Sequence, residues 1–226
     1  MVKNAEKNAS SKLSEIYLIA YNGIQSLGWT YLLYQVVTYY LTSPNKSLYE
    51  TIKCTVHIFQ NAAVLEVIHA ITRLVRSDPI ITTFQVASRV MVVCGVLMAT
   101  SAARESMGLG LCLLAWSVTE IIRYSTYTLT LVGAVPYFLK WLRYTTFIGL
   151  YPLGITGELL CLYAAQKEVG AGNLYSILMP NKYNFIFNYQ HFLVFIMLLY
   201  IPLFPKLYLH MFAQRKKVLA SPRKEK

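Results

Sequence analysis

The stretch MGLGLCLLAWSVTEIIRYSTYTLTL, residues 107–131, decides the fold class. As a helix it is about 37 Å long, enough to cross a hydrocarbon core of about 30 Å. It nevertheless contains Glu120 and Arg123. A charge at mid-membrane costs about 2.5–3.5 kcal/mol on insertion scales, so each needs a partner. At spacing i,i+3 the two lie on one helix face. The run therefore reads as a membrane helix whose charged face is turned toward other helices rather than toward lipid.

Five further apolar runs surround it, at about Ile16 to Leu41, Ile52 to Leu74, Pro79 to Ala99, Trp141 to Ala165 and Phe185 to Phe212. Turn chemistry separates them: Thr42-Ser43-Pro44-Asn45, Gly133 with Pro136, and the loop with Gly170 and Gly172. Pro79 suits a first helical turn, and Pro202 and Pro205 predict a kink in the last run. The connections leave no room for an inserted domain. Composition agrees. Of 226 residues, 56% are hydrophobic and 14% charged, and the mean hydropathy is +0.44. Soluble domains carry about 25% charged residues. A disordered chain would be poor in apolar residues, and 11 glycines and 4 cysteines exclude collagen and disulfide scaffolds. The expected fold is all-α, one polytopic domain over residues 1–226: six transmembrane helices, a polar N-terminal segment at 1–14 and a basic tail at 213–226.

The net charge of +11 lies mostly in short connections and in the tail, as topology signals do, rather than in a face that would read nucleic acid. With both termini cytoplasmic, that side holds fourteen basic residues against five opposite, which favours an even number of spans. The first dozen residues are polar and the run after them is too long for a cleaved leader. The closing Arg-Lys-Glu-Lys resembles a dilysine-type retrieval signal; a solvated basic tail accounts for it equally.

Cys54, Cys94, Cys112 and Cys161 sit singly in apolar runs, without the paired spacing of a disulfide framework or zinc site. His69 lacks a partner at metal-ligand spacing, and no metal or other cofactor is expected. Glu66, Arg89, Glu120 and Arg123 are accounted for by pairing alone, as a buried network locking helices together. Contact with a polar ligand is compatible with that role.

In the fifth run, Tyr151 and Glu158 are i,i+7, two turns apart on one face and about 10 Å apart along a regular axis. Pro152, Gly154 and Gly157 between them loosen the helix and permit close approach. A phenol and a carboxylate lining one intramembrane cavity form a candidate acid–base pair.

These residues stand in a familiar order. WSVTEIIRY at 116–124, LRY at 142–144 and YPLGITGE at 151–158 resemble the 3-hydroxyacyl-CoA dehydratase family of very-long-chain fatty-acid elongation, also called protein tyrosine phosphatase-like. YNGIQSLGWTYLLY at 21–34, LVRSDP at 74–79 and AQRKK at 213–217 extend the resemblance over nearly the whole chain. It implies six helices in the endoplasmic reticulum membrane and elimination of water from a 3-hydroxyacyl-CoA to give a trans-2-enoyl-CoA, the third step of each elongation cycle. It also implies that Tyr151 and Glu158 are catalytic, with Glu66, Arg89, Glu120, Arg123, Arg143 and Gly154 as supporting positions. Leu153 departs from the family's frequent Thr, which adjusts the cavity. A phosphatase would need a Cys with an Arg six residues later. Gln60, Thr100, Val118 and Lys167 occupy those positions.

For this chemistry Glu158 is the preferred base and Tyr151 the preferred proton donor, although the reverse fits the sequence nearly as well. CoA phosphates are expected at the basic residues Lys140, Arg143, Arg215, Lys216 and Lys217. The resemblance implies a condensing elongase and the ketoacyl-CoA and enoyl-CoA reductases as partners in the lipid bilayer. A catalytically silent scaffold of the elongation complex, or a small-molecule transporter, are the competing readings.

Overall fold

The structure is a computed structural model that describes residues 2–42 and 45–219. Residues 43–44 of the turn expected at Thr42 to Asn45, and the basic final four residues, lie outside the described residues. Among the described residues the chain forms nine α-helices and one π-helical segment. They are α1 (Val2–Thr42), α2 (Leu48–Ala62), α3 (Val64–Ile71), α4 (Pro79–Val90), the π segment (Met91–Leu97), α5 (Ser101–Glu105), α6 (Met107–Leu131), α7 (Tyr137–Arg143), α8 (Phe147–Gly172) and α9 (Tyr189–Leu219). One antiparallel bridge, Ile177 to Phe187, closes the loop before α9.

Five stretches are long and apolar enough to cross a membrane: Leu48–Ile71, Pro79–Leu97, Met107–Leu131, Phe147–Gly172 and Tyr189–Leu219. The protein is thus an all-α polytopic membrane protein. The sixth expected span lies in α1, which has ample length at 41 residues. Tyr21, Asn22, Gln25 and Gln35 dilute its apolar character, so α1 is not among those five stretches.

Local chemistry sets the helix ends. Ser47 caps α2 by accepting from the Glu50 N–H, and Asp78 caps α4 by accepting from the Ile80 and Ile81 N–H groups with Pro79 in the first turn. Three boundaries differ from the sequence reading. The 1–14 segment is already helical from Val2. The fifth run divides: α7 ends at Arg143, Tyr144–Thr146 turn, and α8 starts at Phe147. The tail from Ala213 continues α9 to Leu219, where Lys216 and Lys217 meet the helix's negative end favourably.

The second span is broken at Ala63. The Ala63 N–H turns to the Gln60 carbonyl and the Glu66 N–H to the Ala63 carbonyl. That releases the Phe59 and Ala62 carbonyls, which accept from Gln25 and Tyr21 of α1, at 3.3 and 3.1 Å. Buried backbone groups need such partners. The polar residues that lower the hydropathy of α1 therefore mend its neighbour.

α6 lies centrally, with α1 along one side and α8 along the other; α9 packs on α8 and α3 on α4. Trp29, Leu32, Leu113, Trp116, Tyr124 and Leu162 are buried in this core. α6 and α8 meet backbone to backbone at glycines: a Cβ on Gly157 would stand 2.5 Å from the Cys112 nitrogen, and one on Gly108 would stand 2.5 Å from the Gly157 carbonyl oxygen. At the α5 end, Glu168 of α8 accepts from the Ser101 and Ala102 N–H groups. There Arg104 donates to the Leu97 and Met98 carbonyls, and the Tyr189 hydroxyl to the Gly95 carbonyl.

Candidate active site

Glu158 is buried one turn beyond Gly154 in α8. The close seam with α6 brings Trp116 against it, and the Trp116 Nε1 donates to one carboxylate oxygen at 2.8 Å. The other oxygen accepts from the Tyr200 hydroxyl of α9 at 2.6 Å. Both oxygens thus act as acceptors.

Tyr151 lies two turns earlier on the side of α8 that faces α9. Its ring stacks on Phe204 at 5.5 Å and on Tyr208 at 5.9 Å. Pro152 explains why α9 is held here. A proline lacks the N–H that would bond four residues back, which leaves the Ile148 carbonyl without its helical partner. The Tyr208 hydroxyl donates to that carbonyl at 2.9 Å. One proline thus positions the aromatic partner of Tyr151. The phenol lies within electrostatic reach of Glu158 and of Arg89.

The four charges meet in one network, with Glu120 buried and Glu66, Arg89 and Arg123 half-buried. Arg123 bridges Glu120 at 2.6 Å and Glu66 at 2.8 Å, Arg89 pairs with Glu120, and the Tyr124 hydroxyl donates to Glu66. The network spans α3, α4 and α6. It also touches the site, because the Arg89 guanidinium lies over the Trp116 ring, 5.7 Å from its centre, while that ring's N–H holds Glu158. Gly154 faces α6: a Cβ there would meet the Ala115 Cβ at 3.4 Å.

Arg143 behaves differently. It ends α7, not the helix of the Tyr151–Glu158 pair, and donates to the Tyr127 hydroxyl at 3.2 Å with its guanidinium 4.5 Å from that ring's centre. It ties the α7 turn to α6. Of the basic phosphate candidates, Lys140 is exposed on α7, Lys216 and Lys217 are exposed at the end of α9, and Arg215 is half-buried. Among the described residues no three His, Cys, Asp or Glu side chains are grouped to hold a metal ion.

Sequence reasoning missed the roles of Trp116 and Tyr200. Trp116 carried a signal, since 116, 120 and 123 share one helix face. Tyr200, one of 18 tyrosines, carried none, because its partner lies on another helix.

Comparison with known proteins gives the arrangement its context. The chain is 44% identical over 222 residues, covering 98% of it and 87% of the relative, to very-long-chain (3R)-3-hydroxyacyl-CoA dehydratase 2 of Mus musculus. It is 47% identical over 216 residues, 94% of the chain and 98% of the relative, to very-long-chain (3R)-3-hydroxyacyl-CoA dehydratase hpo-8 of Caenorhabditis elegans. With very-long-chain (3R)-3-hydroxyacyl-CoA dehydratase PASTICCINO 2 of Arabidopsis thaliana the identity is 34% over 216 residues, 95% of the chain and 98% of the relative. No solved structure matches the chain significantly. The family described as protein tyrosine phosphatase-like protein, PTPLA, matches residues 60–221. On this match and these identities, the chain belongs to the protein tyrosine phosphatase-like (PTPLA) family.

Proposed function

We propose that this protein is a hydro-lyase that removes water from long-chain (3R)-3-hydroxyacyl-CoA to give the trans-2-enoyl-CoA, with Tyr151 and Glu158 as its catalytic pair. The observation that carries the reading is the buried Glu158 carboxylate, held by donors from two helices on the same side of α8 as Tyr151. The names of the three relatives support the substrate class.

The thioester acidifies the α carbon of the substrate. Glu158 accepts that proton, electron density flows to the thioester carbonyl, and the C3–O bond then breaks. The departing hydroxide takes a proton from the Tyr151 phenol and leaves as water. Return of the proton from Glu158 to the phenolate resets the pair. Trp116 and Tyr200 fix the carboxylate, and the Arg89 guanidinium lies over the Trp116 ring that holds it. Lys140, Arg215, Lys216 and Lys217 are basic candidates for CoA phosphates. The reaction belongs to fatty-acid elongation in the endoplasmic reticulum membrane, both termini cytoplasmic, beside a condensing elongase and the two reductases.

Incubation of detergent-purified protein with a long-chain 3-hydroxyacyl-CoA, followed by mass spectrometry of the enoyl product, tests this. Turnover is expected in the wild type, with losses of about a hundredfold or more in Tyr151→Phe and Glu158→Gln. Near-normal rates in both variants, or no wild-type turnover at any chain length from monodisperse protein, would overturn the proposal.

A further inference from the structure

The hairpin between α3 and α4 holds a cavity of about 470 Å³, lined by Arg73, Arg76 and Ser77 with Ile71, Val75 and Pro79. That volume is within the usual range for small-molecule sites. Its backbone is unusual. α3 ends in a Schellman motif: the Arg73 N–H bonds the Ala70 carbonyl at 3.2 Å, and the Leu74 N–H bonds the His69 carbonyl at 2.9 Å. The residue between them must be left-handed, a place normally given to glycine. Here it is Arg73, at φ 59°. Glycine would hold this position without strain, and the arginine instead places a guanidinium at the mouth of the cavity. Both arginines are exposed, and among the described residues neither forms an ion pair. The nearby Asp78 carboxylate is engaged in capping α4.

The cavity lies at the Tyr151 end of the bundle. α1 runs antiparallel to α3 and α6, since Tyr17 meets His69 and Tyr21 packs on Tyr124, and Arg143 ties the start of the α7–α8 region to Tyr127 near the end of α6. From Arg73, α3 leads back about 10 Å along its axis to Glu66 of the charged network. From there the charged network leads through Arg123, Glu120 and Arg89 to Trp116, which holds Glu158.

We infer that the Arg73–Arg76 cavity, rather than the basic residues of α7 and α9, is the phosphate subsite that receives the 3′-phospho-ADP end of the CoA thioester while its acyl end lies at Tyr151 and Glu158. Two guanidiniums, planar donors free of carboxylates, match the paired oxygens of phosphate groups. Val75 and Pro79 offer an apolar surface to the adenine. The inference rests on the dehydratase reading for the identity of the phosphate. An anionic lipid headgroup presents the same chemistry, so the test separates the two.

The test is equilibrium binding of coenzyme A itself to full-length protein in detergent, for wild type, Arg73→Gly and Arg76→Gln, with melting temperatures measured alongside. Each variant is expected to bind CoA about tenfold more weakly. Arg73→Gly should melt no lower than wild type, because glycine takes the left-handed position freely. The ratio of kcat/KM for the CoA thioester to that for the corresponding pantetheine thioester should fall by a similar factor. Unchanged CoA affinity in both variants overturns the subsite, as does weakened binding with a lowered melting temperature in Arg73→Gly. Lost binding to phosphatidic-acid vesicles with CoA binding intact assigns the cavity to lipid and overturns it too. Arginine-dependent CoA binding by protein that never dehydrates would remove the proposed reaction and leave the subsite standing.

Discussion

Tyr200 and Trp116 hold opposite oxygens of Glu158, so their removal has distinct consequences. Loss of a hydrogen bond to a charged group costs about 1.5–3 kcal/mol. Tyr200→Phe should therefore lower kcat about tenfold or more with KM little changed. Steady-state kinetics on the long-chain substrate checks this, and an unchanged kcat would mean that Tyr200 does not position the base. Glu120 makes a sharper case. It is 2% exposed and shared by Arg89 and Arg123. Breaking a buried pair by removing one partner costs about 3–5 kcal/mol, so Arg89→Met should lower the melting temperature well beyond a surface arginine change. Glu66, Arg89, Glu120 and Arg123 were legible as a network from the sequence because charges inside apolar runs demand partners. Which charge pairs with which was not legible, since that is set by the stagger of α3, α4 and α6.

Pro152 and Tyr208 are coupled through one carbonyl. Tyr208→Phe leaves the Ile148 oxygen unpaired at a cost of about 1–3 kcal/mol. In a Pro152→Ala background residue 152 regains an N–H for that oxygen, so the same change should cost almost nothing. A double-mutant cycle in thermal unfolding reads the difference, and additive effects would refute the coupling. The α6–α8 seam makes a graded prediction. Gly157→Ala must push α6 away and should destabilise by about 1–3 kcal/mol. Gly154→Ala meets Ala115 at 3.4 Å and should be milder in the same melting experiment. Pro152, Gly154 and Gly157 announced a close, loosened helix in the sequence. The division of the fifth run at Tyr144–Thr146 escaped it, because the short polar stretch Arg143 to Thr146 is outweighed by the apolar residues on both sides of it when hydropathy is averaged. α1 erred in the other direction. Tyr21 and Gln25 look unfit for a membrane until the freed carbonyls of α2 are seen opposite them.

At the scale of the molecule, the distribution of basic residues predicts both termini on one side, which requires an even number of crossings, one more than the five stretches that are long and apolar enough. A glycosylation-acceptor tag at either end should stay unmodified in microsomes, whereas one in the 173–188 loop should be modified; any other pattern would reverse the topology. The five membrane-length stretches were legible as runs because each must span the same thickness of hydrocarbon. The closure of the α5 end by Glu168, Arg104 and Tyr189 was not, because it depends on capping across distant loops. The Pro152–Tyr208 contact has a further consequence, in the order of synthesis. α8 leaves the ribosome with an open carbonyl beside Tyr151 and with Glu158 lacking its Tyr200 donor. Both are supplied by α9, which is made after α8. A nascent chain therefore carries the proposed pair, Tyr151 and Glu158, before it carries the contacts that hold them, and a chain lacking α9 is expected to be inactive.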